Sequence, residues 1–438
     1  MEQIIILCVL YYFDIIRSMA IVIISIGLLV FLAHLFTALF DRTRIPDVLP
    51  LVFLGLLIGP VFGLVTPEAF GRVGGVFTMI ALVIILFQSG LELNAATLKE
   101  SMGAGVRLMV VNFTVTVIIV APAVYLLLGL ASLDSLMLGA ILGGTSSAIV
   151  IPMVGRLSLA ERSKTALVLE STFSDVLCIV VTLGLLQAVK FNEVRPGLML
   201  GQIIASFLLS TVIGGIGAIF WSVILERVRQ LENNIFTTAA FIFVLFGIAE
   251  ILGYSGAITA LAFGVILGNA KNIRLPLTGR FANLKTMHLN DIEKAVFAEA
   301  VFLIKTFFFV YIGLSIRLND FVLVLAGLVF TVIIFALRIP VVRLSLGKAI
   351  SRFDVSIAAV MAPKGLAAAV LASLPLQEGL ESGVIIQDVV YAVILFSIIA
   401  AASLSFAVEK DHLPGFFRKV FARYPDNGPA DREAQPAP

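Results

Sequence analysis

Charged residues are scarce in this sequence: Asp, Glu, Lys and Arg make up 13% of its 438 residues, roughly half the share of an ordinary soluble domain. A chain so poor in charge cannot cover a water-facing surface, which excludes a soluble globular fold. A net charge of +2 leaves no basic face for nucleic acid. Cysteine is nearly missing: Cys8 and Cys178 both lie in apolar runs and form neither a disulfide framework nor a metal spacing. The three histidines include no pair at ligand spacing. With no nucleophile–base pair or metal set, the sequence reads as a protein other than an enzyme, needing no cofactor. It has no Walker loop, and no Gly-x-Gly-x-x-Gly follows a strand pattern, which argues against transport driven directly by ATP within this chain.

What the sequence has in abundance is apolar length. Hydrophobic residues make up 60% and mean hydropathy is +1.11. A helix needs about 20 apolar residues to cross the hydrocarbon core. Such windows recur at 19–40, 47–65, 73–91, 108–131, 134–155, 164–189, 198–225, 234–252, 256–270, 298–316, 319–342, 354–375 and 385–408. They predict an all-α integral membrane protein of thirteen transmembrane helices. The ninth window is short and holds glycines, so it is expected to tilt or lean on its neighbours. Residues 1–18 lack a basic lead and a small-residue cleavage site, and read as an N-terminal extension rather than a signal peptide; Met19 is an alternative start. Residues 409–438 are polar and end in a Pro-rich stretch, predicting a disordered tail.

Loop charge orients the chain. With the N-terminus outside, the outside segments carry only Arg17, Arg72, Lys190, Arg195 and Arg317, while Lys305, Arg338 and Lys364 fall inside spans. All other Lys and Arg lie in the inside loops, at the inside edge of span six (Lys164) or in the tail, as the positive-inside rule requires. This places the C-terminus in the cytoplasm of a cell membrane protein.

The windows also repeat. FLGLLIGP (53–60) in span two is matched by LAFGVILGN (261–269) in span nine, and LFQSGLEL (86–93) in span three by FVYIGLSI (309–316) in span ten. GGTSSAIV (143–150) in span five is matched by APKGLAAAV (362–370) in span twelve. The offset is seven spans each time, so each copy crosses in the opposite sense to its partner, the signature of inverted-topology repeats. The division expected is a first repeat over 19–189, a linker helix within 190–233 and a second repeat over 234–408.

An ionisable group at mid-bilayer costs on the order of 2.5–3.5 kcal/mol, so each one needs a reason. Asp175 lies mid-span in LVLESTFSDVLCIVVT (167–182) with Ser171 and Ser174 nearby. Carboxylate and hydroxyl oxygens suit a hard monovalent metal ion, and the same carboxylate takes a proton; one group that binds either gives obligatory exchange. The plainer alternative is an Asp that only bonds neighbouring helices. Glu170 precedes it by about 500° of helical rotation and is the natural partner for Arg338 of span eleven, always charged, in a structural ion pair. Pro363-Lys364-Gly365 should unwind span twelve, opposite Thr145-Ser146-Ser147 of span five. Lys364 would there neutralise helix carbonyl ends. Lys305 is placed to snorkel, and Glu250 near the outer boundary is read as a packing or gating residue.

Through Glu170-Ser171-Thr172-Phe173-Ser174-Asp175 the chain resembles the monovalent cation/proton antiporters, the sodium/proton exchanger superfamily, whose motif is Glu-Ser-x-x-Asn-Asp. The resemblance runs from Pro46 to the last span. It implies that Asp175 binds the ion with Ser171 auxiliary, that Glu170 pairs with Arg338, and that Thr145-Ser146-Ser147 and Pro363-Lys364-Gly365 match the family's crossed unwound helices. It also implies a homodimer and an elevator-like motion of a core domain. Ser174 stands for the family's Asn or Asp, Ser146 for Asp, and Lys364 for Arg. The lone acid suggests electroneutral exchange. The expected function is therefore Na+ (or Li+) exchange for H+, with Thr145, Ser146, Ser171 and Ser174 completing the shell around Asp175. K+/H+ exchange, organic-anion symport and a passive channel stay open as alternatives.

Overall fold

The structure is a computed structural model that describes residues 24, 27–38, 48–65, 71–92, 95–191, 196–230, 236–269, 289–317, 320–410 and 414–426. Among these residues every regular element is a helix, the form that satisfies all backbone groups within one segment where water is absent. The order is α1 (Gly27–Ala38), α2 (Val48–Leu56), α3 (Gly71–Glu92), α4 (Ala95–Leu128), α5 (Ser132–Ile141), α6 (Ser147–Arg156), α7 (Glu161–Phe191) and α8 (Pro196–Val228). It continues with α9 (Thr237–Ile251), α10 (Gly256–Gly268), α11 (Asp291–Ser315), α12 (Phe321–Ser345), α13 (Arg352–Val360), α14 (Leu366–Gln377), α15 (Gly383–Glu409) and α16 (Pro414–Val420). Among the described residues six stretches are long and apolar enough to cross a membrane: Gly103–Leu128, Glu161–Leu186, Ile204–Leu225, Ile292–Ser315, Phe321–Ser345 and Gly383–Glu409. On α8, Ile204, Leu208, Val212, Ile216 and Phe220 are all exposed at a spacing of four, an apolar stripe suited to hydrocarbon. Residues 1–18 and 427–438 lie outside the described residues.

Two apolar windows hold two short helices each rather than one. The first is broken between Ile141 and Ser147 at Gly143-Gly144, and the second between Val360 and Leu366 at Pro363-Lys364-Gly365. Proline acts differently in α2: Pro60 has no N–H to give, and the helix ends in a wider π turn over Leu57–Val61. There the Phe62 N–H reaches back to the Leu57 carbonyl at 2.9 Å.

The main core runs through α4, α5, α7 and α12 to α15, and a smaller one gathers Phe87, Trp221, Phe263 and Phe297 among α3, α8, α10 and α11. Two helix crossings show one design used twice. Where α2 meets α11, a Cβ on Gly55 would lie 2.1 Å from the Val310 carbonyl oxygen, and one on Gly313 2.1 Å from that of Val52 and 2.9 Å from the Gly55 Cα. Where α10 meets α3, a Cβ on Gly264 would lie 2.3 Å from the Phe87 carbonyl oxygen, and one on Gly90 2.5 Å from that of Leu261 and 3.0 Å from the Gly264 Cα. Gly59 against Leu314 and Gly268 against Leu91 complete the match. Aligned by the sequence repeat, Gly55 corresponds to Gly264, Gly313 to Gly90, Val310 to Phe87 and Val52 to Leu261. Only residues without a side chain let backbones come this close.

The tail departs from the disorder expected of it. Beyond Glu409 the chain forms α16, and Phe417, Phe421 and Tyr424 are buried. The Tyr424 hydroxyl donates to the Leu346 carbonyl at 3.3 Å, Arg352 pairs with Asp426 at 2.7 Å, and the Arg352 N–H donates to the Pro425 carbonyl at 2.9 Å. Polar composition suggested disorder, but aromatics at positions 417, 421 and 424 give the segment one apolar face.

Candidate functional site

The two helix breaks touch. Ser146 donates its backbone N–H to the Pro363 carbonyl at 2.8 Å. The Lys364 ammonium, itself 1% exposed, donates to the Gly144 carbonyl. A Cβ on Gly365 would fall 2.1 Å from Ser146 Oγ, so glycine is what admits the crossing. Unwinding a helix inside a protein frees backbone groups that must find partners, and here they do. The Gly143 carbonyl accepts from Asn112 Nδ2 at 3.1 Å, the Thr145 N–H donates to Ser174 Oγ at 3.0 Å, and the Lys364 N–H donates to Ser397 Oγ at 2.9 Å.

Asp175 comes to this crossing from α7. Ser147, the first residue of α6, donates its hydroxyl to Asp175 Oδ2 at 2.7 Å. The carboxylate thus faces the positive end of a helix dipole. Gly144, Thr145, Ser146, Asp175, Cys178 and Lys364 line a cavity of about 10 Å3, the scale of a single water-sized particle. Its walls bring together the Asp175 carboxylate, the hydroxyl residues Thr145 and Ser146 and the Gly144 carbonyl, with the Cys178 thiol and the Lys364 ammonium beside them.

The other expected residues fall into two groups. Thr145 and Ser146 line the cavity. Ser171 and Ser174 do not contribute hydroxyls to it: Ser171 donates to the Val168 carbonyl at 3.0 Å, and Ser174 to the Ser171 carbonyl at 3.0 Å while holding Thr145. Both are buried and bond backbone. Ser147 takes the place beside Asp175 that sequence reasoning gave to them. In the sequence it is the third of three consecutive hydroxyl residues with nothing to set it apart; the start of α6 at 147 decides which of them turns to α7.

Glu170, about one and a half turns before Asp175 on α7, faces Arg338, the two 1% and 0% exposed. The guanidinium is bidentate on the carboxylate, with Nη2 2.6 Å from Oε2, and its Nε donates to the Ala358 carbonyl at 3.0 Å. Arg338 therefore ties α12 to α7 and to the last turn of α13. Glu250 accepts the Gly256 N–H at 2.8 Å and borders a separate cavity of about 240 Å3, lined also by Ile179, Leu183, Tyr254, Leu371 and Glu378. That cavity begins one turn past Asp175 on α7. Lys305 lies partly buried on α11.

The profile of a family described as the transmembrane sodium/hydrogen exchanger matches residues 27–410, most of the chain and all the elements that build this crossing. The chain belongs to the sodium/hydrogen exchanger family. These are membrane-spanning cation/proton antiporters, transporters rather than enzymes. Among relatives, a K(+)/H(+) antiporter NhaP2 of Shewanella baltica is 25% identical over 341 residues, which is 75% of this chain and 56% of the relative. The chain thus spans little more than half the length of that relative. The Na(+)/H(+) antiporter 1 of Methanocaldococcus jannaschii is 28% identical over 159 residues, 36% of this chain and 37% of the relative. The solved structure of the sodium proton antiporter MjNhaP1 from that organism superposes with a TM-score of 0.69 at 22% identity, covering 88% of this chain and 97% of the other, and so shares the fold.

Proposed function

We propose that this protein exchanges a monovalent cation, Na+ or Li+, for H+ by alternating access, with Asp175 binding one or the other. The observation that carries the reading is the Asp175 carboxylate at the crossing of two broken helices, bonded by Ser147 beside a cavity of single-ion scale. The cation shell assigned here is the Asp175 carboxylate, the Ser147 hydroxyl, and oxygens of Thr145 and Ser146. Glu170 and Arg338 hold α7 against α12, and Lys364 offsets the carbonyl end of α5. With a single acid in the cavity, one cation exchanges for one proton and the cycle is electroneutral.

The topology we assign has thirteen spans in two inverted repeats, with the N-terminus outside and the C-terminus in the cytoplasm. The loop charges support it, as do the paired glycine crossings, in which atoms equated by the repeat make the same contacts. Lipid, or a second copy in the homodimer that the family resemblance implies, would cover the stripe on α8. K+ is the second reading, favoured by the activities in the names of NhaP2 and of the Bacillus cereus Na(+)/H(+)-K(+) antiporter GerN, 22% identical over 370 residues.

Proteoliposome exchange with Na+, Li+ and K+ in turn, with and without a clamped potential, tests the reading. Dissipation of a pH gradient by Na+ or Li+, unaffected by the clamp and lost in Asp175→Asn, is expected. Normal dissipation by Asp175→Asn overturns the assignment. Currents without a counter-ion point to a channel, and stabilisation by organic acids alone points to an anion symporter.

A further inference from the structure

We propose that Ser397, in the middle of α15, is the positioning residue for Lys364, the counterpart in the second half of the chain of what Ser174 is in the first. The inference rests on the antiporter reading for its functional consequence, but its geometry stands alone. Ser397 is fully buried. Its hydroxyl donates to the Ile394 carbonyl three residues back at 3.1 Å, and its oxygen accepts the Lys364 N–H at 2.9 Å. Ser174 makes the same two bonds: it donates to the Ser171 carbonyl three residues back at 3.0 Å and accepts the Thr145 N–H at 3.0 Å. The two breaks have equal length, 142–146 and 361–365, and Thr145 and Lys364 are each the fourth residue of their break.

Each serine thus solves one problem. An unwound segment leaves an N–H with no partner in its own helix, and a buried donor without a partner is costly. A serine that returns its own proton to its helix keeps its oxygen free to accept that N–H, so it anchors the break without a charge. For Lys364 the anchor has a further effect. The side chain starts where Ser397 pins the backbone and ends on the Gly144 carbonyl, in the wall of the Asp175 cavity. Releasing the backbone lets the ammonium leave that carbonyl, which changes the field at Asp175 and the competition between cation and proton. Nothing about Ser397 marks it in the sequence, where it is one hydroxyl in an apolar helix.

The test compares wild type, Ser397→Ala, Ser397→Cys and Ser405→Ala. Ser405 is a buried hydroxyl on the same helix with no partner among the described residues, so it controls for loss of a serine from α15. Hydrogen–deuterium exchange over 361–366 and cation KM across pH are measured for each. Ser397→Ala is expected to speed amide exchange in that segment about tenfold, to raise the cation KM several-fold and to shift the pH profile, with kcat changed less than twofold. Ser397→Cys, nearly the same size but a weaker acceptor, falls between. Should the Ala variant not fold, the Cys variant carries the test on the same criteria. Wild-type amide exchange in the Ser397 variants, or changes no larger than those of Ser405→Ala, overturns the inference. Faster amide exchange with KM and pH profile unchanged also overturns it, reducing Ser397 to a structural anchor. Absence of any cation exchange by wild type overturns the antiporter reading instead, and the amide result still decides whether Ser397 anchors Lys364.

Discussion

Lys364 and Gly144, 220 residues apart in sequence, share a hydrogen bond at the crossing of the two broken helices. In the cavity wall the ammonium sets a positive charge against the carbonyl end of α5. Replacing it with an apolar chain leaves a buried carbonyl without a donor, which costs about 1–3 kcal/mol.

Lys364→Met is therefore expected to lower Tm in detergent and to slow cation-dependent proton exchange about tenfold or more, since each 1.4 kcal/mol is a factor of about ten. Thermal denaturation and proteoliposome exchange check it. A variant matching wild type in both removes Lys364 from the site.

If cation and proton compete for the Asp175 carboxylate as proposed, that competition fixes the pH behaviour. Protonation of Asp175 removes the ligand, so acid weakens cation binding. In the range where the carboxyl is mostly protonated, the cation KM rises about tenfold for each unit that pH falls, by mass action. Exchange rates measured against cation concentration at several pH values report this directly. A KM that stays flat while only the maximal rate changes would rule out a shared site.

The Glu170–Arg338 pair calls for a double-mutant cycle. Glu170→Leu alone leaves an uncompensated buried guanidinium and is expected to cost about 3–5 kcal/mol, Arg338→Met alone strands the carboxylate at a similar cost, and the two together recover most of that loss. Denaturation midpoints of the single and double variants decide. Additive losses would show that the two side chains do not act as a pair.

At the helix crossings, Gly55→Ala and Gly264→Ala should destabilise to a similar extent, by about 1–3 kcal/mol, because each new methyl meets backbone that cannot turn aside. Gly103 in α4 has nothing within 4 Å of its would-be Cβ, and Gly103→Ala is expected to stabilise by about 0.5–1 kcal/mol. A large loss at one crossing and none at the other would contradict their equivalence.

The docked tail makes a fifth prediction. Truncation after Leu413 removes Phe417, Phe421 and Tyr424 from their buried places and lowers Tm. Phe421→Ala alone is expected to cost about 3–5 kcal/mol. Removing 427–438 leaves Tm unchanged. A midpoint insensitive to the longer truncation shows that α16 does not brace α12 and α13.

Much of this molecule could be read from residues that are costly in lipid. Pro363 and Gly365 mark one break and Gly143-Gly144 the other, because such residues weaken a helix wherever they stand. Glu170 points to Arg338 because a buried guanidinium needs an anion. What escaped the sequence carries no such cost. Ser147 differs from Thr145 and Ser146 only in rotational phase, which depends on where α6 begins. Ser174 looks like a ligand by its place next to Asp175, yet its hydroxyl bonds backbone. The order in the tail is hidden for a different reason: charged residues between Phe417, Phe421 and Tyr424 mask the aromatic face in any average over composition.

Side chains slide past one another by changing rotamer, but the contacts at Gly55–Gly313 and Gly90–Gly264 are main chain against main chain. They lock α2 to α11 and α3 to α10, and α3 in turn packs against α11. On the alternating-access proposal, a displacement that carries Asp175 across the bilayer has to be taken up around these locked crossings, by the helices that hold the Asp175 cavity.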